Sequence, residues 1–190
     1  MGEPMPISRL AIPVLGALVS ATACAPSASP TPTVVPAAAP AANAPTPYTA
    51  DQIRAASPAG RRIEFRVEAA GKPMTVSVMS FVKSDDAGAE VESVTLDETG
   101  HEIGTRSTGR ATWEELRAHA SFPQSSTTIG DETITVPAGA FDCRVYTVTR
   151  GDRTMTFWFA KSLPGPPVRM TVAVAGKVVE TRTLVRHLAR

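Results

Sequence analysis

Two cysteines, three histidines, 5% aromatic residues and no bilayer-length apolar run leave few chemistries open to this chain of 190 residues. Two cysteines cannot build a disulfide framework, and neither stands in a Cys-x-x-Cys pair suited to metal or redox work. His101, His119 and His187 are scattered, with no HxH or HExxH spacing, so no metal centre is expected. An excess of one charge is missing too. The 19 basic and 18 acidic residues leave a formal net charge of +1, without the basic surplus that nucleic acid or an anionic membrane surface requires. There is no GxSxG, P-loop or GxGxxG. Asp85-Asp86 and Glu114-Glu115 are neighbours in sequence, which does not aim two carboxylates into one space as acid–base catalysis needs. No enzyme and no cofactor are expected.

What is present begins at the N-terminus. Leu10 to Ala23 carry no charge, and Arg9 is the only basic residue ahead of them; Glu3 weakens that basic region unless Met5 is the start. Interrupted by Pro13 and Gly16, the run is too short for a lasting transmembrane helix and reads as a signal peptide, residues 1–23. Ala21-Thr22-Ala23 leads directly into Cys24, which resembles a bacterial lipobox. That resemblance implies diacylglycerol on the Cys24 sulfur, cleavage before it and acylation of the new N-terminus. Acyl chains contributing about 0.8 kcal/mol per buried methylene hold such a protein on a membrane. Ala25, where aspartate would imply inner-membrane retention, implies the periplasmic face of the outer membrane in a Gram-negative cell.

Residues 24–47 read as the lipidated cysteine and a tether. Positions 25–47 hold seven prolines and eight alanines, and no charge occurs from Ala25 to Ala50. Such a segment cannot bury a core and favours extended states. Residues 48–190 read as one folded domain. Thr49 to Gln52 match a capping box, predicting a short helix over Ala50–Ala56. The period then changes to two: Ile63, Phe65, Val67 and Ala69 alternate with Arg62, Glu64, Arg66 and Glu68, a strand with one buried and one wet face. Turn signals every eight to twelve residues continue a meander, with a slip of the alternation at Met79 to Phe81 suggesting a bulge. One main helix is expected from the capping box Thr112 to Glu115, with Trp113, Leu116 and Ala120 on one face. The fold class is mainly β (α+β): a curved antiparallel sheet or half-barrel of eight or nine strands with that helix, or a closed barrel.

VPAGAFDCRVY followed by FWFAKSLPGPPVRM resembles a pattern of bacterial envelope lipoproteins, and the layout of sheet plus helix is similar to the LolA/LolB and LppX-like group. The resemblance covers roughly residues 130–175. It implies a half-barrel whose apolar concave face holds acyl chains, and it transfers no individual functional residue. From the residues themselves, Phe65, Phe81, Phe157, Trp158 and Phe159 are candidates for a cavity lining, with Trp158 on the opposite face from Phe157 and Phe159. Cys143 is expected to be a small buried hydrophobe, able to pair with Cys24 only if Cys24 carries no lipid. Arg150-Gly151-Asp152 is read as a hairpin turn rather than an adhesion motif. The functional expectation is a non-catalytic envelope lipoprotein, anchored to a membrane through Cys24 and binding or carrying an apolar ligand. The alternative is a structural or protein-interaction module of the envelope with no small ligand.

Overall fold

The computed structural model describes residues 42–188. The signal peptide, Cys24 and most of the expected tether lie outside the described residues. Nine strands follow in order: β1 (Arg62–Ala69), β2 (Thr75–Ser84), β3 (Gly88–Leu96), β4 (Glu102–Thr112), β5 (Thr127–Val136), β6 (Gly139–Arg150), β7 (Arg153–Ala160), β8 (Arg169–Val174) and β9 (Lys177–Leu188). Helix α1 (Ala50–Ala56) precedes them, and helix α2 (Trp113–Ala118) with a 3-10 turn at Gln124–Ser126 lies between β4 and β5.

All nine strands form one antiparallel sheet in the order β4-β3-β2-β1-β9-β8-β7-β6-β5. The first and last strands meet at its centre, and β4 and β5 are its two unpaired edges, so the sheet is open rather than a closed barrel. Curvature follows from two observations. β5 and β9 are four places apart in the sheet yet approach each other, which a flat sheet with strands about 4.8 Å apart forbids. The chain must also cross from one edge to the other within residues 113–126. Helical and 3-10 residues shorten that crossing to roughly 35 Å, against roughly 38 Å for eight flat inter-strand steps. Register shifts at Glu64/Phe65, Phe81/Lys83, Ser93/Thr95 and Val172/Ala173 bend the strands further, the second adjoining the slip at Met79 to Phe81.

The crossing segment puts its apolar side chains on the concave face. Trp113 and Phe122 join the core with Ile63, Phe65, Phe81, Tyr146, Phe159 and Leu184. Both helices begin at complete capping boxes. Thr49 Oγ1 accepts from Gln52 N at 3.2 Å while Gln52 Oε1 accepts from Thr49 N at 2.9 Å. Thr112 Oγ1 accepts from Glu115 N at 3.2 Å while Glu115 Oε2 accepts from Thr112 N at 2.7 Å.

Residues ahead of Tyr48 already pack against the domain. Ala44 N donates to Phe122 O at 2.8 Å, Gln124 N to Ala42 O at 2.9 Å, and Tyr146 Oη to Pro45 O at 2.8 Å. The last residues of the proline-rich stretch therefore pack as a strap beside the crossing segment. Glu64, expected on the wet face of β1, is only 9% exposed. Arg62 Nε at 2.9 Å and Arg186 Nε at 3.4 Å close over its carboxylate, so paired charges rather than apolar contacts cover that part of the outer face.

Candidate functional site

Between the helices and the concave face lies a cavity of about 250 Å³. β2 supplies Met79 and Phe81, β7 supplies Phe157 and Phe159, and the helical layer contributes Ile53, Leu116, Ala120 and Phe122. The aromatic walls are fixed against one another: Phe122 stacks on Phe157 at 4.8 Å between centroids, and Tyr48 and Tyr146 meet Phe159 edge-on at 6.0 and 5.5 Å. Pro47 and Tyr48 from the strap and Gly165, Pro166 and Pro167 from the β7–β8 loop complete the lining. The Tyr48 hydroxyl is occupied, donating to Ala160 O at 2.6 Å, and burial raises its pKa well above the ordinary phenol value. Arg117 and His119 bring the only other ionisable side chains to the lining, and no carboxylate does.

One charged group stands directly behind this wall. Arg61 is fully buried at 0% exposure. Its Nη1 donates to Ser57 Oγ and to Pro164 O, both at 2.9 Å, and its guanidinium carbon lies 5.7 Å from the centroid of the Phe81 ring. Its Nε has no hydrogen-bond partner among the described residues. Burial lowers its pKa to about 10, with Tyr48 opposing the shift. Gly165, at φ 139°, leaves room for it: a Cβ there would meet Nη1 and Nη2 at 3.2 and 3.3 Å.

The structure divides the aromatic set named from sequence. Phe81, Phe157 and Phe159 line the cavity. Phe65 is buried beneath the Arg182 guanidinium, 4.0 Å from its ring centroid. Trp158 turns to the other face, where its Nε1 donates to Glu132 Oε2 at 2.8 Å. Tyr48, Phe122 and Arg61 escape notice in the sequence because they belong to loops or to a strand end, where no periodicity marks the buried side. Cys143 is fully buried without a disulfide partner among the described residues, and Cys24 lies outside them.

The carboxylate neighbours do structural work at the surface. Asp85 accepts from Ala87 N and Gly88 N and pairs with Arg110 at 2.8 Å, which holds its carboxyl below the usual range, the Arg110 hydrogen bond most of all. Asp86 pairs with Arg54 at 3.3 Å, Glu114 pairs with Arg117 at 2.6 Å, and Glu115 caps α2. Arg150-Gly151-Asp152 forms the β6–β7 turn, with Gly151 at φ 61°. His101 sits in the β3–β4 turn against Thr99. No group of three or more metal-ligating side chains occurs among the described residues.

No helix among the described residues is long and apolar enough to cross a membrane. Comparison with protein-family models, curated proteins and solved structures found no match.

Proposed function

We propose that the chain is a non-catalytic envelope lipoprotein, anchored through Cys24, whose β domain holds a small apolar ligand. The observation that carries this reading is the cavity between α1, α2 and the concave sheet. A filled core would have left no such space, and its walls are rigid aromatic and aliphatic groups. The alternative of an interaction module without a ligand draws on the open edges and on scattered exposed side chains such as Val82, Ile103 and Val178. At the edges β4 carries Glu102, Arg106 and Arg110, charges that discourage pairing with another strand.

Size limits the ligand. An apolar void of about 150 Å³ takes a benzene ring, so 250 Å³ takes about ten carbon atoms. The site suits a medium-length alkyl chain or a bicyclic compound, or one end of a longer acyl chain.

The test uses the whole chain carrying Cys24→Ser, purified without detergent, and follows 1-decanol binding by ligand-observed NMR. Saturable binding is expected, and Ala120→Phe, which projects a ring into the cavity, should weaken it at least tenfold with little change in melting temperature. Absence of binding to the parent chain, or unchanged binding in Ala120→Phe, would overturn the reading.

A further inference from the structure

Buried arginines are ordinarily matched by an anion, because an isolated charge in a low-dielectric interior is costly. Even half-exposed arginines of this protein are paired: Arg106 contacts both Glu92 and Glu102 at 2.7 Å, and Arg62 and Arg186 flank Glu64, whereas Arg182, half-buried, has the Phe65 ring face 4.0 Å away in place of an ion pair. Arg61 is the fully buried case. None of the ion pairs among the described residues includes Arg61, although it is the largest of the fully buried side chains. A serine hydroxyl and a backbone carbonyl solvate one nitrogen of the fork and supply no compensating charge. The charge is felt nearby, since burial and Arg61 together lower the His187 pKa.

The position of the guanidinium gives this unbalanced charge a meaning. Two residues it touches, Phe81 and Gly165, are themselves cavity wall. Gly165 belongs to the lining, and a Cβ there would meet Arg61 Nη1 and Nη2 at 3.2 and 3.3 Å, so the absent side chain is what permits the approach. We propose that the ligand of this cavity is an amphiphile with an anionic carboxylate head, its tail against Leu116, Phe122 and Phe157 and its head at the Gly165 wall, where Arg61 supplies the missing counter-charge. The inference rests on the cavity being a ligand site and names the ligand class.

Three ligands of matched tail length separate the two ideas on the Cys24→Ser chain: decanoate, 1-decanol and decylamine, titrated at neutral pH below their critical micelle concentrations. Decanoate is expected to bind about tenfold more tightly than 1-decanol, the attraction across a few ångströms being partly offset by desolvation of the carboxylate. Decylamine should bind no better than the alcohol. Arg61→Gln should bring decanoate and decanol to equal affinity. Should this variant fail to fold, Arg117→Gln decides in its place: a carboxylate preference that survives the loss of this lining cation supports Arg61, and one that disappears with it overturns the assignment. Equal affinity of decanoate and decanol for the parent chain, preference for the amine, or an undiminished carboxylate preference in Arg61→Gln overturns the head-group assignment and leaves the apolar cavity standing. Failure of all three ligands to bind overturns the cavity reading itself.

Discussion

Cys143 sits at 0% exposure on β6, opposite Ala160 and Glu132 in the adjoining strands, with its Sγ 3.5 Å from Phe141 O. Burial pushes its pKa up to about 11 from an ordinary 9.0, and the carboxylates of Glu132 and Asp142 add to the shift. The consequence for stability has a definite sign. Below about pH 9 the thiol is protonated both folded and unfolded and contributes no slope. Between about 9 and 11 the unfolded chain loses the proton while the folded one keeps it, so the unfolded state binds fewer protons and stability falls as pH rises. Above about pH 10 the raised Tyr48 phenol continues the same trend, while Arg61, which loses its proton there in the folded chain but keeps it unfolded, opposes it. The melting temperature is therefore expected to be level from pH 7 to about 9 and to decline above that, with a shallower decline in Cys143→Ala. A decline of equal steepness in the variant would remove Cys143 from the explanation. A thiol reagent at pH 8 should label the folded chain at Cys143 only after denaturant is added.

At the scale of elements, α2 has six residues, too short to persist without help, yet it roofs the cavity. Its help is local: the Thr112–Glu115 box satisfies its first turn, and Trp113 Nε1 donates to Asp85 O at 3.0 Å. Thr112→Ala removes the hydroxyl half of the box and should cost about 1 kcal/mol in urea unfolding. A change near zero would show that tertiary packing alone holds the helix. These boxes are also the most legible features of the sequence, since they depend on a few residues at fixed spacing; α1 occupies the expected Ala50–Ala56. The centre of β1 was legible through its alternating Ile63, Phe65 and Val67. By contrast nothing in the sequence marks β4 as reaching Thr112 or β5 as starting at Thr127. Those stretches are edge strands exposed on both faces, and a strand with no buried side has no period of two to betray it. The cavity was half legible for a related reason. Phe81, Phe157 and Phe159 stood in strands, whereas Arg61 looked like one more charge ahead of a wet strand face, and only its packing against the β7–β8 loop shows it buried.

At the scale of the whole molecule, the strap joins two features that are far apart in sequence terms. Pro47 and Tyr48 are cavity wall, and the chain leading into them comes from Cys24. Eighteen residue steps (42 − 24) lead from Cys24 to Ala42, the first described residue, and a chain of that length spans at most roughly 60 Å. If Cys24 carries the anchor, Ala42 stays within that distance of the bilayer surface, and the domain is held beside a membrane from which short-tailed amphiphiles can be drawn. Anchoring is therefore central to the proposed role, and it is open to a direct chemical test. Cells expressing the full chain and fed an alkyne-tagged palmitate should yield a labelled protein that pellets with membranes and resists extraction by high salt and alkaline carbonate. The mass of its mature form should correspond to a chain beginning at Cys24 plus the diacylglycerol and acyl groups. Cys24→Ser should carry no label, whether or not its signal segment is removed. An unlabelled parent chain, or label that persists after Cys24→Ser, would mean that Cys24 is not the anchor, and Cys24 would then be free to pair with a second thiol. Because the label reports the thioether-linked lipid rather than retention alone, it distinguishes acylation from a signal segment that merely stays uncut.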